Sequence, residues 1–253
     1  MKHFNKTLLF LFLALVANPF QGQSQAAILA LIFGDKVASE EFNISLELGG
    51  GFASYSNLAG SEFAGTTFDF GIGLNKKFSD NFYFTPAVYF VSRRQAQVSS
   101  YDLNSGNPDL DALFTDDKTR INFNYIDVPL IFSYQTNSGK MRFSGGAQLS
   151  FRGNVTADLT IDEGTFTQGF KKYTNSFDWG PIAEVAFNME GARKGKGLLI
   201  RARYYYGLND IFKDNFTTSS VRNSGFVVML SLPFVTDEIA KNNLERYKKK
   251  KKK

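Results

Sequence analysis

Apolar and polar residues alternate with a period of two through most of this chain. Successive side chains of a β-strand point to opposite faces, so this period predicts strands and not helices. In the first such segment Phe42, Ile44, Leu46 and Leu48 share one face, and Asn43, Ser45 and Glu47 share the other. Eight segments follow the pattern: 42–56, 66–78, 82–101, 121–134, 141–162, 177–189, 198–209 and 226–234. The chain's 27 Phe and 11 Tyr are spread over many such short stretches, as β structure favours.

The connections alternate in length. Segments 79–81, 136–140 and 190–197 are short and turn-like, whereas 57–65, 102–120, 163–175 and 211–224 are mostly longer. Short turns at one end and long loops at the other are the pattern of an outer-membrane barrel, and an even strand count brings both termini to the periplasmic side. A soluble sandwich or small ligand-binding barrel also alternates, but there the apolar face points inward. The polar face decides between them. It carries Glu47, Asp69, Asp127, Asp178 and Glu184 together with Arg142, Arg152, Arg201 and Arg203. Signs so nearly balanced predict a paired charge network inside a narrow barrel. The opposite face is almost free of charge, and Phe226, Val228, Leu230, Leu232 and Phe234 together are too apolar for a wet surface. The fold expected is all-β: an eight-stranded antiparallel transmembrane β-barrel with short N- and C-terminal periplasmic segments. Pro86, Pro129, Pro181 and Pro233 fall within proposed strands, and a closed barrel has no free edge for them; Pro233 fits a strand end, and bulges or broken pairing are expected near the other three.

The ends of the chain carry different signals. Lys2 and Lys6 precede the apolar run 8–16, and Ser24-Gln25-Ala26 offers small residues before a cut, so 1–26 reads as an export signal. A cut after Gly22 fits nearly as well. Segment 27–41 holds the apolar patch Ile28, Leu29, Leu31 and Ile32, which reads as an interfacial helix or as a plug entering the barrel. The barrel is expected over 42–234, followed over 235–253 by a short periplasmic helix and a Lys tail, with Thr236 as N-cap. The sequence pI of about 9.2 owes much to that tail. Of 29 Lys and Arg, two lie in the signal and six are residues 248–253, which leaves 21 against 24 acids. A nucleic-acid binder carries its basic residues on the folded surface, so no nucleic-acid partner is expected. The tail reads as solvated chain, or as a tether to anionic headgroups or an acidic partner.

Candidate chemistry is sparse. The only His is His3, inside the signal, and there is no Cys. The usual general base, thiol nucleophile and soft metal ligands are therefore missing from the body of the chain. No enzyme activity, cofactor or metal is expected. Asp178 and Glu184 form a conceivable carboxylate pair, but candidate Arg partners favour buried ion pairs instead. Segment 191–197 lacks the spacing and the Ser or Thr of a phosphate loop and reads as a turn. Asp109, Asp111, Asp116 and Asp117 crowd one long loop without an EF-hand spacing, and read as a solvated loop before a calcium site. Gly49, Gly50 and Gly51 mark a flexible or tightly packed stretch of the first strand.

The run Tyr125-Ile126-Asp127-Val128-Pro129-Leu130 resembles the Tyr-hydrophobic-acid-hydrophobic-Pro-Leu signature of PorT-like outer-membrane β-barrel proteins of Bacteroidetes. Residues 32–40 resemble a leader found before the first strand in some flavobacterial members. Asn223, Gly225, Val228, Leu230 and Phe234 are similar to the last-strand signal read by the barrel-insertion machinery. The resemblance, over about residues 28–234, implies an eight-stranded outer-membrane barrel, with outer-membrane lipid, that machinery and other envelope proteins as partners. It also implies a non-enzymatic structural or accessory role in an envelope or type IX-like secretion assembly. The chain beyond Phe234 departs from the family's habit of ending on that aromatic. A small ligand-binding or transport barrel is the alternative, and an eight-stranded barrel has room for its own side chains or one small ligand.

Overall fold

A computed structural model describes residues 41–58, 65–98, 109, 119–161, 164–189, 197–214, 216–217 and 219–233. The expected signal, segment 27–40, Phe234, the Lys tail and Asp111, Asp116 and Asp117 lie outside them. The strands are β1 (Phe42–Tyr55), β2 (Gly65–Lys77), β3 (Phe82–Phe84), β4 (Ala87–Val98), β5 (Thr119–Gln135), β6 (Met141–Ile161), β7 (Gly164–Gly169), β8 (Phe177–Asn188), β9 (Leu199–Tyr206) and β10 (Asn223–Pro233). All pairings are antiparallel, and β1 pairs with both β2 and β10, so the sheet closes. Eight strands form the ring, in the order β1, β2, β4 with β3, β5, β6, β8, β9 and β10. The short β3 and β4 are two halves of one barrel strand, and β7 is a hairpin arm on the far end of β6. The structure is an all-β, eight-stranded antiparallel barrel.

The prolines account for part of the irregularity, and two bulges for the rest. Phe84 pairs with Phe132 and Tyr89 with Asp127, so residues 85–88 face 128–131, and Pro86 and Pro129 share one interruption of the ladder. Thr85 N–H still donates to the Ile131 carbonyl at 2.8 Å. Pro181 keeps its place in β8 opposite Ala147, and the β8–β9 ladder begins one residue later at Ile182. A bulge at Phe90 then shifts the inward set of β4 from Tyr89 to Ser92, Arg94 and Ala96. A second bulge in β6 sets two residues, 153 and 154, against Asn124 and moves the inward set from Ser150 to Val155, Ala157 and Leu159.

The outward face is apolar from strand to strand. Leu48, Phe52, Phe68, Phe132, Phe143, Phe187, Phe226, Val228, Leu230 and Leu232 are exposed, with Phe132 reaching 64%. A water-soluble protein does not leave so much contiguous apolar surface bare, whereas a barrel in lipid requires it. A membrane strand needs about 9–11 residues. With 17 and 21 residues, β5 and β6 run well past the bilayer at the long-loop end. Their extension, with β7, is polar outside: Thr66 donates to Gln95, Gln95 to Asn122, and Asn122 and Thr167 to Asp158, at 2.6–3.0 Å. Segments 170–175, 207–214 and 219–222 complete the wall on the other flank. There Ser56 N–H bonds Arg222, Asn175 N–H bonds Ile211, and Thr174 bridges to Phe212. The Gly run of β1 is tightly packed: a Cβ on Gly51 would stand 1.9 Å from the Phe226 carbonyl oxygen of β10.

Candidate functional site

Every polar side chain of the interior comes from the inward half of the alternation, which stacks them in three tiers. Nearest the short turns, Arg142 from β6 donates to Asn75 Oδ1 at 2.9 Å and to Gln135 Oε1 at 3.1 Å. Asn75 in turn donates to Asn43 at 3.1 Å, and the guanidinium stacks 4.3 Å from the Tyr83 ring centre. Among the described residues no carboxylate pairs with Arg142; neutral oxygens and a π-face hold its charge.

The middle tier is a closed circuit. Arg201 of β9 lies 3.1 Å from Glu47 of β1 and 3.8 Å from Glu184 of β8. Glu184 Oε2 accepts from Arg203 Nε at 2.9 Å and Nη2 at 2.7 Å. Arg203 Nη1 donates to the Tyr89 hydroxyl at 2.9 Å, and that hydroxyl donates to Glu47, which returns the chain to its start. Ser45 and Ser231 each add a hydroxyl to Glu47. Two acids and two arginines balance here, all almost wholly buried. Desolvation of four charges costs several kcal/mol per ion, which such mutual pairing offsets.

The upper tier centres on Arg94 of β4. It pairs with Asp127, donates to Asn223 and Ser150 at 3.3 Å, and lies 4.5 Å from the Tyr125 ring centre. Ser92 donates to Asp127 at 2.7 Å. Asp178 takes neutral donors instead: Asn223 at 2.6 Å, the Tyr205 hydroxyl at 2.8 Å and Asn209 N–H at 3.2 Å. Asp69 sits beside Ser92 on β2 and forms no ion pair among the described residues. Above this tier the lumen turns apolar. Tyr55, Phe123, Val155, Leu159, Phe170 and Phe212 are buried together, with Tyr173 and Phe216 packed against them. The Phe212 and Phe216 rings lie 4.6 Å apart, and Phe170 meets Phe216 edge-on at 5.1 Å.

Of the interior residues expected from the sequence, Glu47, Asp69, Asp127, Arg142, Asp178, Glu184, Arg201 and Arg203 all point into the lumen. Arg152 stands opposite inward Tyr125, just before the β6 bulge, but it is only part-buried and pairs with no carboxylate among the described residues; its Nε donates to the Asn175 carbonyl at 2.6 Å. Arg94 and Tyr89, which the sequence does not single out, join the polar set: Tyr89 is inward on the same alternation as Ala87, and the Phe90 bulge then turns Arg94 inward. Asn223, expected as part of the last-strand signal, is an inward hub between Arg94 and Asp178, while Val228 and Leu230 face outward. No group of three or more metal-ligating side chains occurs among the described residues; of the acidic loop only Asp109 is among them.

Such an interior binds itself. Each arginine is engaged by groups of the chain, and the apolar cap occupies the long-loop mouth. No curated protein matches the chain significantly. Among solved structures it is similar to Neisserial surface protein A, at 15% identity over 75% of this chain and 96% of that one, with a TM-score of 0.43. It is also similar to Ail of Yersinia pestis (12%, 75% and 97%, 0.39) and to OprG of Pseudomonas aeruginosa (18%, 74% and 93%, 0.33). Residues 21–213, well over half of the chain, match the family described as the outer membrane protein beta-barrel domain, and the chain belongs to that family of outer-membrane barrels.

Proposed function

We propose that this outer-membrane barrel is a closed, non-enzymatic anchor whose working surface is its collar beyond the bilayer, and that it serves as a structural or accessory subunit of an envelope assembly. The observation that carries this reading is the filled interior. The Glu47–Tyr89–Arg203–Glu184–Arg201 circuit crosses the lumen, and the Phe170–Phe212–Phe216 cap closes its mouth. A barrel that spends four buried arginines on internal pairing offers neither an aqueous path nor a lined ligand chamber. The rigid part outside lipid is the long β5–β6 hairpin with β7, a platform suited to protein contact. The PorT-like signature around Asp127 favours a secretion assembly of the type IX kind. Both termini then face the periplasm and the collar faces the medium. Affinity purification of the tagged protein from its own membranes tests the reading. Envelope or secretion proteins should co-purify in fixed ratio, whereas a barrel recovered alone after mild cross-linking would contradict it.

A further inference from the structure

One outward cation is out of keeping with its surroundings. The outward rows from Phe42 to Phe52 on β1, Phe68 to Leu74 on β2, Ile126 to Tyr134 on β5 and Met141 to Phe151 on β6 hold no charge. Arg93 on β4 is the first charge beyond that band toward the long loops. It is exposed, stands opposite Phe68 of β2 and Asn124 of β5, and has no ion pair or hydrogen bond among the described residues. One outward row higher begins the ladder of Thr66, Gln95, Asn122, Asp158 and Thr167. There the nearby acid, Asp158, is already engaged through both oxygens by Asn122 and Thr167. Arg120, also exposed, lies one row above Gln95 and Asn122, between Gln97 of β4 and Asp158 of β6, and forms no ion pair with Asp158, whose oxygens Asn122 and Thr167 hold.

We propose that Arg93, with Arg120 above it, docks the phosphate of an outer-leaflet glycolipid headgroup on the β4–β5 flank. The height is fixed from both sides. Phe68 and Ile126 end the apolar band below, and the hydrogen-bonded ladder marks water above, so Arg93 lies where headgroups lie. A guanidinium presents parallel donors that fit phosphate, and an unpaired one at this border faces no competing carboxylate. The site continues the lipid-facing surface and so needs no separate cavity. At the same height the opposite flank shows Phe52, Trp179, Tyr206 and Phe226 and no arginine, so the lipid is held on one side only.

The inference rests on the proposed orientation, with the long loops outside. The test uses the full-length protein in zwitterionic micelles, titrated with diphosphorylated lipid A and read by native mass spectrometry. Arg93→Gln should weaken binding about tenfold, the scale of a lost charge-assisted contact. Arg222→Gln, an exposed arginine elsewhere at the mouth, should not. Dephosphorylated lipid A should bind the wild type as weakly as diphosphorylated lipid A binds Arg93→Gln, and inorganic phosphate at equal concentration should not compete. Equal binding by Arg93→Gln and the wild type, or by the two lipids, would overturn the proposal. Full competition by inorganic phosphate would overturn the lipid as its source. Micelles have no sides, so orientation is read separately by impermeant labelling of Thr167→Cys on intact cells. Failure there, with Arg93-dependent binding intact, would overturn the outer-leaflet placement alone.

Discussion

Arg201 on β9 reaches Glu47 on β1 at 3.1 Å inside the barrel, although β10 runs between their two strands. The pair therefore spans the seam at which the first and last strands close the ring. Ser231 of β10 sits under the bridge, bonded to both partners at 3.2–3.3 Å. Closure is held twice, by the β1–β10 backbone ladder and by this link across it.

Breaking that link leaves Glu47 and Glu184 short of a counter-charge in a dry interior. Removing one partner of a buried pair costs about 3–5 kcal/mol, against roughly 0–1 for a surface pair. Arg201→Leu should lower the temperature at which the barrel loses its heat-modified gel mobility. Lys172→Leu, in the exposed turn after β7, should leave it unchanged. Equal, negligible shifts in both variants would mean that the Arg201 face is wet.

Leu230 faces outward midway along β10, opposite Leu48 of β1. An arginine there faces lipid at a cost of about 2–4 kcal/mol near the midplane. A β10 that fails to pair with β1 also leaves backbone groups unsatisfied in the bilayer. Leu230→Arg should be degraded or stalled in the periplasm. Normal amounts in the outer-membrane fraction would show that residue 230 does not meet lipid.

The strand ladder was legible because period two survives wherever one face meets lipid and the other a polar lumen. All eight expected segments correspond to ring strands, with ends moved by a few residues. Charge pairing across the lumen was legible on β1, β5, β8 and β9, where the alternation runs unbroken. It failed on β4. Arg93 and Arg94 are adjacent, and only the Phe90 bulge decides which enters the lumen. Local sequence does not encode that bulge visibly, although Pro86 warned of an irregularity in this strand. Arg152 keeps its place opposite Tyr125, but the β6 bulge beside it leaves it bonded to the Asn175 carbonyl and to no carboxylate among the described residues. The aromatic cap escaped notice because Phe170, Phe212 and Phe216 lie in irregular segments without period, and only the closed ring brings those segments together over its mouth.

The cap supplies a prediction of its own. Phe212 is buried against Phe123, Phe170 and Phe216. Truncating a buried Phe costs about 3–5 kcal/mol. Phe212→Ala should loosen segments 170–175 and 207–222, seen as faster amide exchange there, while exchange in β1, β9 and β10 stays slow. Faster exchange throughout the ring would show that the cap and barrel form a single unit.

Orientation follows from the loop lengths. Single cysteines at Thr167 and Asp214 should react with impermeant reagent on intact cells, and one at Asn137 should react only after the outer membrane is opened. Labelling of Asn137→Cys but not Thr167→Cys would reverse the barrel.

The central claim is that the interior is closed by its own side chains. Single-channel recording of the purified full-length protein in a planar bilayer tests it most directly. The wild type should show no steady openings, because the Glu47–Arg201 circuit and the Phe212 cap lie in series along the barrel axis. Reproducible ohmic steps from the wild-type protein would contradict the closed interior and move the protein to the transport class.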